Sequence, residues 1–186
     1  YIHGMPAIIA SLTLIAGCDG LLRGVNTEGK EQSQVELGDY VGASAAIHNN
    51  RAYVGTYGSQ VLCVNLDTEE IAWRYEPSHR KFPYFASPAV TTNQVIVAGR
   101  NKMVHALDSA TGEVLWTYTS RSRFEASPVI ADTRVFVGTT GGKIVALDLK
   151  TGEPAWEFVT GSGFVASPSI AHKRLIIGAT DGTLYC

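Results

Sequence analysis

No stretch of this 186-residue chain approaches the roughly 18 consecutive apolar residues that a membrane-spanning helix needs. Charge is scarce as well. Charged residues make up 17% of the chain, and fifteen basic against seventeen acidic side chains leave a formal charge of −2 with no run of one sign. That balance offers no face for a nucleic-acid backbone and no steering toward an anionic membrane. Only three cysteines occur, Cys18, Cys63 and Cys186. They lie far apart, with neither metal-ligand spacing nor a disulfide framework, so the redox compartment stays open. The five histidines, His3, His48, His79, His105 and His172, share no spacing that would make a metal face. G-x-S-x-G and H-E-x-x-H are absent, no carboxylate pair recurs in a telling place, and no long helical period appears.

What is present is glycine and repetition. Nineteen glycines are spread evenly along a chain that is 45% hydrophobic, a composition of many turns and short strands. The segment FASPAVTTNQVIVAGRNKMVHALDSATGEVLWTYT from Phe85 returns as EASPVIADTRVFVGTTGGKIVALDLKTGEPAWEFV from Glu125, and begins again at Val165. Its Ala-Ser-Pro triplets start at Ala86, Ala126 and Ala166, a constant step of 40. Upstream, Ala43 and Ser44 hold the same register with a step of 43, because the link EPSHRKFPYF carries three extra residues. A further copy opens the chain, with Pro6 in the place of Pro88. There SLTLIAGCDG ends like a bacterial lipoprotein signal, with Cys18 as the lipid-bearing residue. No Lys or Arg precedes it, and Leu14–Gly17 fall in the slot of Ile96–Gly99, so it reads as a repeat strand and its turn.

Each unit resolves into four extended pieces: Ser-Pro-Ala-Val, Gln94 to Ala98, Met103 to Leu107 and Glu113 to Tyr118. Asp108 with Gly112, and Asp148 with Gly152, supply the turn chemistry between the last two: a carboxylate for backbone N–H groups and a glycine free to take positive φ. A unit of about 40 residues cannot bury its own faces, so neighbours must stack, and radial stacking makes a propeller. The expected fold is all-β, a β-propeller of four-stranded antiparallel blades over residues 1–40, 41–83, 84–123 and 124–163, with a partial fifth over 164–186. Val95, Val97, Val104 and Ala106 would fill the gaps between blades, and Trp73, Trp116 and Trp156 would wedge against the adjoining blade. The count of units expects the C-terminal part of a ring of seven or eight blades, with any signal segment upstream; the alternative is a five-blade ring lacking one outer strand.

The pattern A-L-D-x-x-T-G-x-x-x-W at Ala106–Trp116 and Ala146–Trp156 resembles the pyrroloquinoline-quinone-like (PQQ-like) propeller repeat over nearly the whole chain. That family includes quinoprotein dehydrogenases and the lipoprotein scaffold of outer-membrane β-barrel assembly. The first unit departs from it with Ser33 in the tryptophan's place, and the second with Asn65 and Glu69 for the corner aspartate and glycine, so a looser outer strand or a different corner is expected there. The resemblance implies a non-enzymatic scaffold in the bacterial envelope or periplasm that binds a protein or peptide partner. Its alternative is the propeller portion of a quinoprotein dehydrogenase. The enzymes hold quinone with an adjacent cysteine pair and calcium with acidic and amide groups. This chain has no Cys-Cys, so no cofactor is expected, and PQQ or calcium would need ligands from outside it.

Two motif-like stretches are turns on this reading. GSGFVA at Gly161–Ala166 has the dinucleotide spacing but a strand follows it, and GTTGGKI at Gly138–Ile144 is a phosphate loop short by one residue. His105, among Val and Ala, reads as a structural histidine. Any binding site belongs at the mouth of the central channel, where the inter-blade links and the turns between second and third strands converge. Tyr57, Tyr84, Arg100, Arg121, Arg123 and Glu125 are the candidates there: aromatics with arginines and a glutamate that could grip a peptide or carboxylate.

Overall fold

The structure is a computed structural model and describes residues 4–186; Tyr1, Ile2 and His3, at the head of the first expected blade, lie outside the described residues. Every regular element is a strand. Blade 1 comprises β1 (Ala7–Ile9), β2 (Leu12–Ala16), β3 (Leu21–Asn26) and β4 (Glu31–Glu36); blade 2 comprises β5 (Ala46–His48), β6 (Arg51–Gly55), β7 (Val61–Asn65) and β8 (Glu70–Tyr75). Blade 3 follows with β9 (Ala89–Val90), β10 (Gln94–Ala98), β11 (Met103–Asp108) and β12 (Val114–Thr119). Blade 4 has β13 (Val129–Ala131), β14 (Arg134–Gly138), β15 (Lys143–Asp148) and β16 (Pro154–Val159). The described part of blade 5 is β17 (Ser169–Ala171), β18 (Arg174–Gly178) and β19 (Leu184–Tyr185). Within each sheet the strands are antiparallel and ordered as in the chain. This is a β-propeller, and the lipoprotein-like stretch is strand β2, paired on both sides, with Leu14 only 2% exposed.

The two inner strands alternate between the two inter-blade gaps. Val95, Val97 and Leu107 join Tyr53, Val61, Cys63 and Trp73 between blades 2 and 3, while Ile96, Ala98, Val104 and Ala106 join Val135, Val137 and Trp116 between blades 3 and 4. Period-two alternation along a strand that is covered on both faces makes every one of these residues core. The innermost strands begin just after the Ala-Ser-Pro prolines, which have no N–H for a ladder. The serines beside them stitch blades together instead: Ser44 N–H donates to Ser87 Oγ at 3.0 Å, Ser87 N–H to Ser127 Oγ at 2.9 Å, and Ser127 N–H to Ser167 Oγ at 2.9 Å.

The outer corner is where one blade locks to the next. Asp108 Oδ1 accepts the N–H groups of Ala110 and Thr111 at 2.8 and 2.9 Å, and Gly112 closes the turn at φ +77°. Asp148 does the same for Lys150 and Thr151, and these bonds hold both carboxyls below the usual range. Directly before the tryptophan, a β-bulge at Ala72 or Leu115 turns the outer strand and aims the ring toward the next blade. Trp73 then lies on the blade 3 corner with Nε1–H donating to Ser109 O at 3.1 Å, and Trp116 lies on the blade 4 corner, donating to Leu149 O at 2.9 Å. Each ring covers a glycine so closely that a Cβ on Gly112 would come 2.6 Å from Trp73 Cε3.

Blade 2 corrects one expectation. Asn65 accepts from Asp67 N–H and Thr68 N–H at 2.9 and 3.3 Å, and Glu69 takes the glycine's conformation at φ +56°, so the corner keeps the side-chain cap and the left-handed residue of blades 3 and 4. Blade 1 does differ: its turn over Asn26–Gly29 is one residue shorter, and Ser33 stands opposite Gly24 where other blades pair a tryptophan.

Gly112→Ala is expected to cost at least about 2 kcal/mol, since it adds a clash with Trp73 to the penalty for an L-residue at positive φ. Gly29→Ala, also at positive φ but with nothing within 4 Å of its Cβ, should cost only about 1 kcal/mol. Urea unfolding of the two variants measures the difference.

Candidate functional site

The links between blades and the turns between second and third strands meet on one face, held by backbone hydrogen bonds. Tyr84 N–H donates to Thr56 O, Phe124 N–H to Gly99 O, Thr140 N–H to Arg123 O and Phe164 N–H to Thr139 O, all within 2.9 to 3.2 Å. Link 3→4 is therefore clamped between the turns of blades 3 and 4. Within each link, the residue before the mouth points down and the next points across it.

The downward residues are Tyr84, Phe124 and Phe164, at most 1% exposed. Tyr84 is thus not a rim residue. Its ring fills the space over Gly55 and Gly99, and burial pushes its phenol well above the ordinary range. Its position recurs at steps of 40, which is the mark of a packing residue, and that signal was available in the sequence.

The next residue in each link, Gly42, Phe85, Glu125 or Val165, varies in chemistry, and so do the turn residues Tyr57, Arg100 and Thr140 that lean over it. Tyr57 packs edge-on against Phe85, with ring centres 4.8 Å apart. The Arg100 guanidinium lies over the other part of that ring, 3.9 Å from its centre. Arg100 also grips Glu125, with Nη2 donating to Oε2 at 3.0 Å and Nε 2.8 Å from Oε1, off the line of a straight hydrogen bond. Arg123 Nε lies 3.0 Å from the same Oε1. One carboxylate, its side chain 14% exposed, therefore sits between two arginines whose side chains are 38% and 56% exposed. The strip Tyr57–Phe85–Arg100–Glu125–Arg123 runs across blades 2 to 4 with one net positive charge. Arg121 is exposed and joins none of these contacts. Sequence reasoning found four of the five strip residues as candidates. It named Phe85 only in passing, because the cation–π contact with Arg100 crosses two separate loops.

Beneath the strip is a second polar cluster. His105, 3% exposed, occupies the position of Val145 in blade 4 and faces Tyr75 and Thr117. Asn101 Oδ1 accepts from Met103 N–H at 3.1 Å, which leaves Nδ2 to donate to His105 Nε2 at 3.4 Å. His105 is then a neutral imidazole with its proton on Nδ1, toward Tyr75 Oη and Thr117 Oγ1. Burial lowers its pKa from 6.5 to about 4. Neither of the motif-like stretches forms a site. Gly161–Ala166 is the link after β16, and Gly138–Ile144 contains the turn from β14 to β15. Among the described residues, no three His, Cys, Asp or Glu side chains gather as metal ligands.

Sequence and structural comparisons place these geometries among known proteins. The family model described as outer membrane protein assembly factor BamB matches residues 19–123 and 100–186. A BamB of Legionella pneumophila (strain Paris) is 27% identical over 127 residues, which is 62% of this chain and 32% of that protein. The crystal structure of BamB from Moraxella catarrhalis superimposes with a TM-score of 0.88 at 21% identity, covering 98% of this chain and 60% of that one. A quinohemoprotein alcohol dehydrogenase from Pseudomonas putida HK5 does so with a TM-score of 0.82 at 14% identity, covering 100% of this chain and 40% of that one. The chain thus spans about a third of the length of the curated relative.

His105 gives a pH signature. The group is neutral in the fold and takes a proton more readily when unfolded, so its stabilisation is complete above pH 6.5 and is lost as pH falls from 6.5 toward 4. The loss is at most roughly 3 kcal/mol. His105→Val should flatten this part of the stability curve, read as urea midpoints at about pH 7.5 and about pH 4.5.

Proposed function

The chain belongs to the PQQ-repeat family described as outer membrane protein assembly factor BamB, and on that premise we propose that it is a non-enzymatic scaffold of outer-membrane protein assembly, working in the bacterial envelope as part of a larger propeller ring. The channel-mouth strip is its partner-binding surface. The observation that carries this reading is the double grip of Arg100 and Arg123 on Glu125 beside the Tyr57–Phe85 pair. Arg100 is held between the Phe85 ring and the Glu125 carboxylate, so its direction is set before a ligand arrives. Arg123 is turned by the same carboxylate but keeps its outer N–H groups in water. A held cation next to half-buried aromatic rings suits an acidic or carboxylate-bearing peptide segment, because pre-oriented donors lose little entropy on binding.

The dehydrogenase reading draws no support from the residues present. Cys18, Cys63 and Cys186 are on separate blades, so no adjacent pair exists to hold a quinone. The Glu125 carboxylate at the mouth is paired with two arginines, which is the opposite of the electron-rich oxygen set that calcium needs. The likeness to the Pseudomonas enzyme extends to the fold.

Purified outer-membrane assembly proteins of the source bacterium should bind the protein saturably. Arg123→Glu, which places a second carboxylate beside Glu125, should weaken that binding at least about tenfold, roughly 1.4 kcal/mol, with the unfolding midpoint unchanged. Equal binding by the variant would remove the mouth as the surface. No binding, together with dye reduction that depends on added quinone and calcium, would replace the scaffold by the dehydrogenase.

A further inference from the structure

The outer strands of blades 2 and 3 meet along a groove that takes no part in the function proposed above, and three departures from the repeat coincide in it. Both of its walls are complete four-stranded blades. At the interface of blades 1 and 2 the same place is filled by Arg74, whose Nη1 donates to Leu37 O at 3.1 Å and to Gln60 Oε1 at 3.4 Å. At the interface of blades 3 and 4 it is filled by Glu157, which accepts from Lys143 Nζ at 2.7 Å and from Tyr118 Oη at 3.3 Å. Blade 3 has Thr117 in the slot of Arg74 and Glu157, and Met103 in the slot of Gln60 and Lys143. The long polar pair is gone, and a groove of about 400 Å³ takes its place. The strand behind it differs too: His105 stands where blades 2 and 4 have Leu62 and Val145. The link above it carries the three extra residues, and brings His79 and Arg80 to the rim.

The neighbouring interface shows what chemistry the groove is set for. Tyr75 is the counterpart of Tyr118, two residues past the tryptophan. Tyr118 gives its hydroxyl to a carboxylate of the next blade, and Lys143 is the counter-cation of that carboxylate. Tyr75 meets only His105 Nδ1 there, at 3.4 Å, and Thr117 Oγ1 lies 3.5 Å from the same nitrogen. Contacts of that length are at the weak end of hydrogen bonding. With the imidazole proton on Nδ1, the hydroxyl protons of Tyr75 and Thr117 are both left to donate. Glu76, the acidic residue of the link, is engaged by Lys81 and Gln60, and among the described residues no carboxylate lines the groove. Hydroxyl donors at the floor, a guanidinium at the rim and Met103 with Pro77 at the sides reproduce the surroundings of Glu157 with the carboxylate left out.

We propose that this groove is a binding site for a small organic acid. The ligand's carboxylate takes the place that Glu157 holds in the next interface, accepting from the Tyr75 and Thr117 hydroxyls with the Arg80 guanidinium as counter-cation. Its apolar body lies between Met103 and Pro77. His105, fixed from behind by Asn101, donates to the oxygens of those hydroxyls and so turns their protons toward the ligand. Charge-assisted hydrogen bonds of this kind are the strong ones, and the cavity has the volume of a small ligand pocket.

Benzoate is the probe, with benzamide as its uncharged isostere. Benzoate should bind the chain saturably in calorimetry and move the His105 imidazole signals in two-dimensional NMR, and benzamide should bind at least about tenfold more weakly. Arg80→Ala, on the exposed link, should weaken benzoate several-fold and leave the unfolding midpoint unchanged. The double variant Met103→Lys with Thr117→Glu writes the Lys143–Glu157 pair into this interface, so it should fold as before and lose benzoate binding. The proposal is overturned by the absence of saturable binding to the folded chain, by equal binding of benzamide, or by benzoate binding that survives both Arg80→Ala and the double variant. Benzoate binding lost in Arg123→Glu and kept in the double variant would place the acid at the channel mouth, and overturns it as well. Binding of assembly proteins is read separately through Arg123→Glu, so either reading can fail without the other.

Discussion

An indole laid on the glycine of its neighbour's corner is the contact on which the rest of this molecule depends. A single four-stranded sheet of this size exposes two apolar faces and cannot stand alone. Lateral burial between blades supplies the driving force, but burial by itself does not set spacing or angle. Trp73 and Trp116 set both. Each ring is aimed by a bulge in its own blade and stopped by backbone in the next, with its N–H spent on one carbonyl. Glycine is required there for two reasons that coincide, the positive φ of the turn and the closeness of the ring. The Ser44–Ser87–Ser127–Ser167 bonds repeat the tie at the inner end, so adjacent blades are fixed at both radii.

Because the framework is fixed by repeated residues, the positions that do not repeat are free to carry function. The links show this division within two consecutive residues. Tyr84, Phe124 and Phe164 are packed and alike, whereas Phe85, Glu125 and Val165 share a place at the mouth and nothing in chemistry. The charged part of the mouth is also locally rigid. Arg100 rests on Phe85 and Glu125, and the turn that bears it is anchored by Asn101, whose side chain is shared between Met103 N–H and His105. The charged part of the mouth therefore stands beside the buried polar cluster around His105.

Most of the architecture could be read from spacing. The step of 40, the Asp and Gly of the corners and the recurring tryptophan imply four strands, a turn and a neighbour. The lipoprotein-like ending at Cys18 was resolved by the same register, since Leu14–Ala16 had to be a strand if Ile96–Ala98 was one. Two expectations failed for physical reasons. Asn65 and Glu69 imply a looser outer strand or a different corner in blade 2, yet Asn65 caps the turn and Glu69 takes the positive φ there. Tyr84 was read as a rim residue because its loop is at the rim, yet its side chain points into the core, a matter of direction that loop location does not decide.

Residue order, then, determined the repeat, the strand pattern, the corner chemistry and which side chains alternate into the gaps, all of which follow from local periodicity and from turn stereochemistry. The tertiary structure alone decided which residues meet across separate loops. Arg100 reaches Phe85 and Glu125, and His105 faces Tyr75 and Asn101. These contacts join residues from separate loops and strands, two of them across a blade interface, and their distances depend on how the sheets twist and lean against one another, a quantity no single segment encodes.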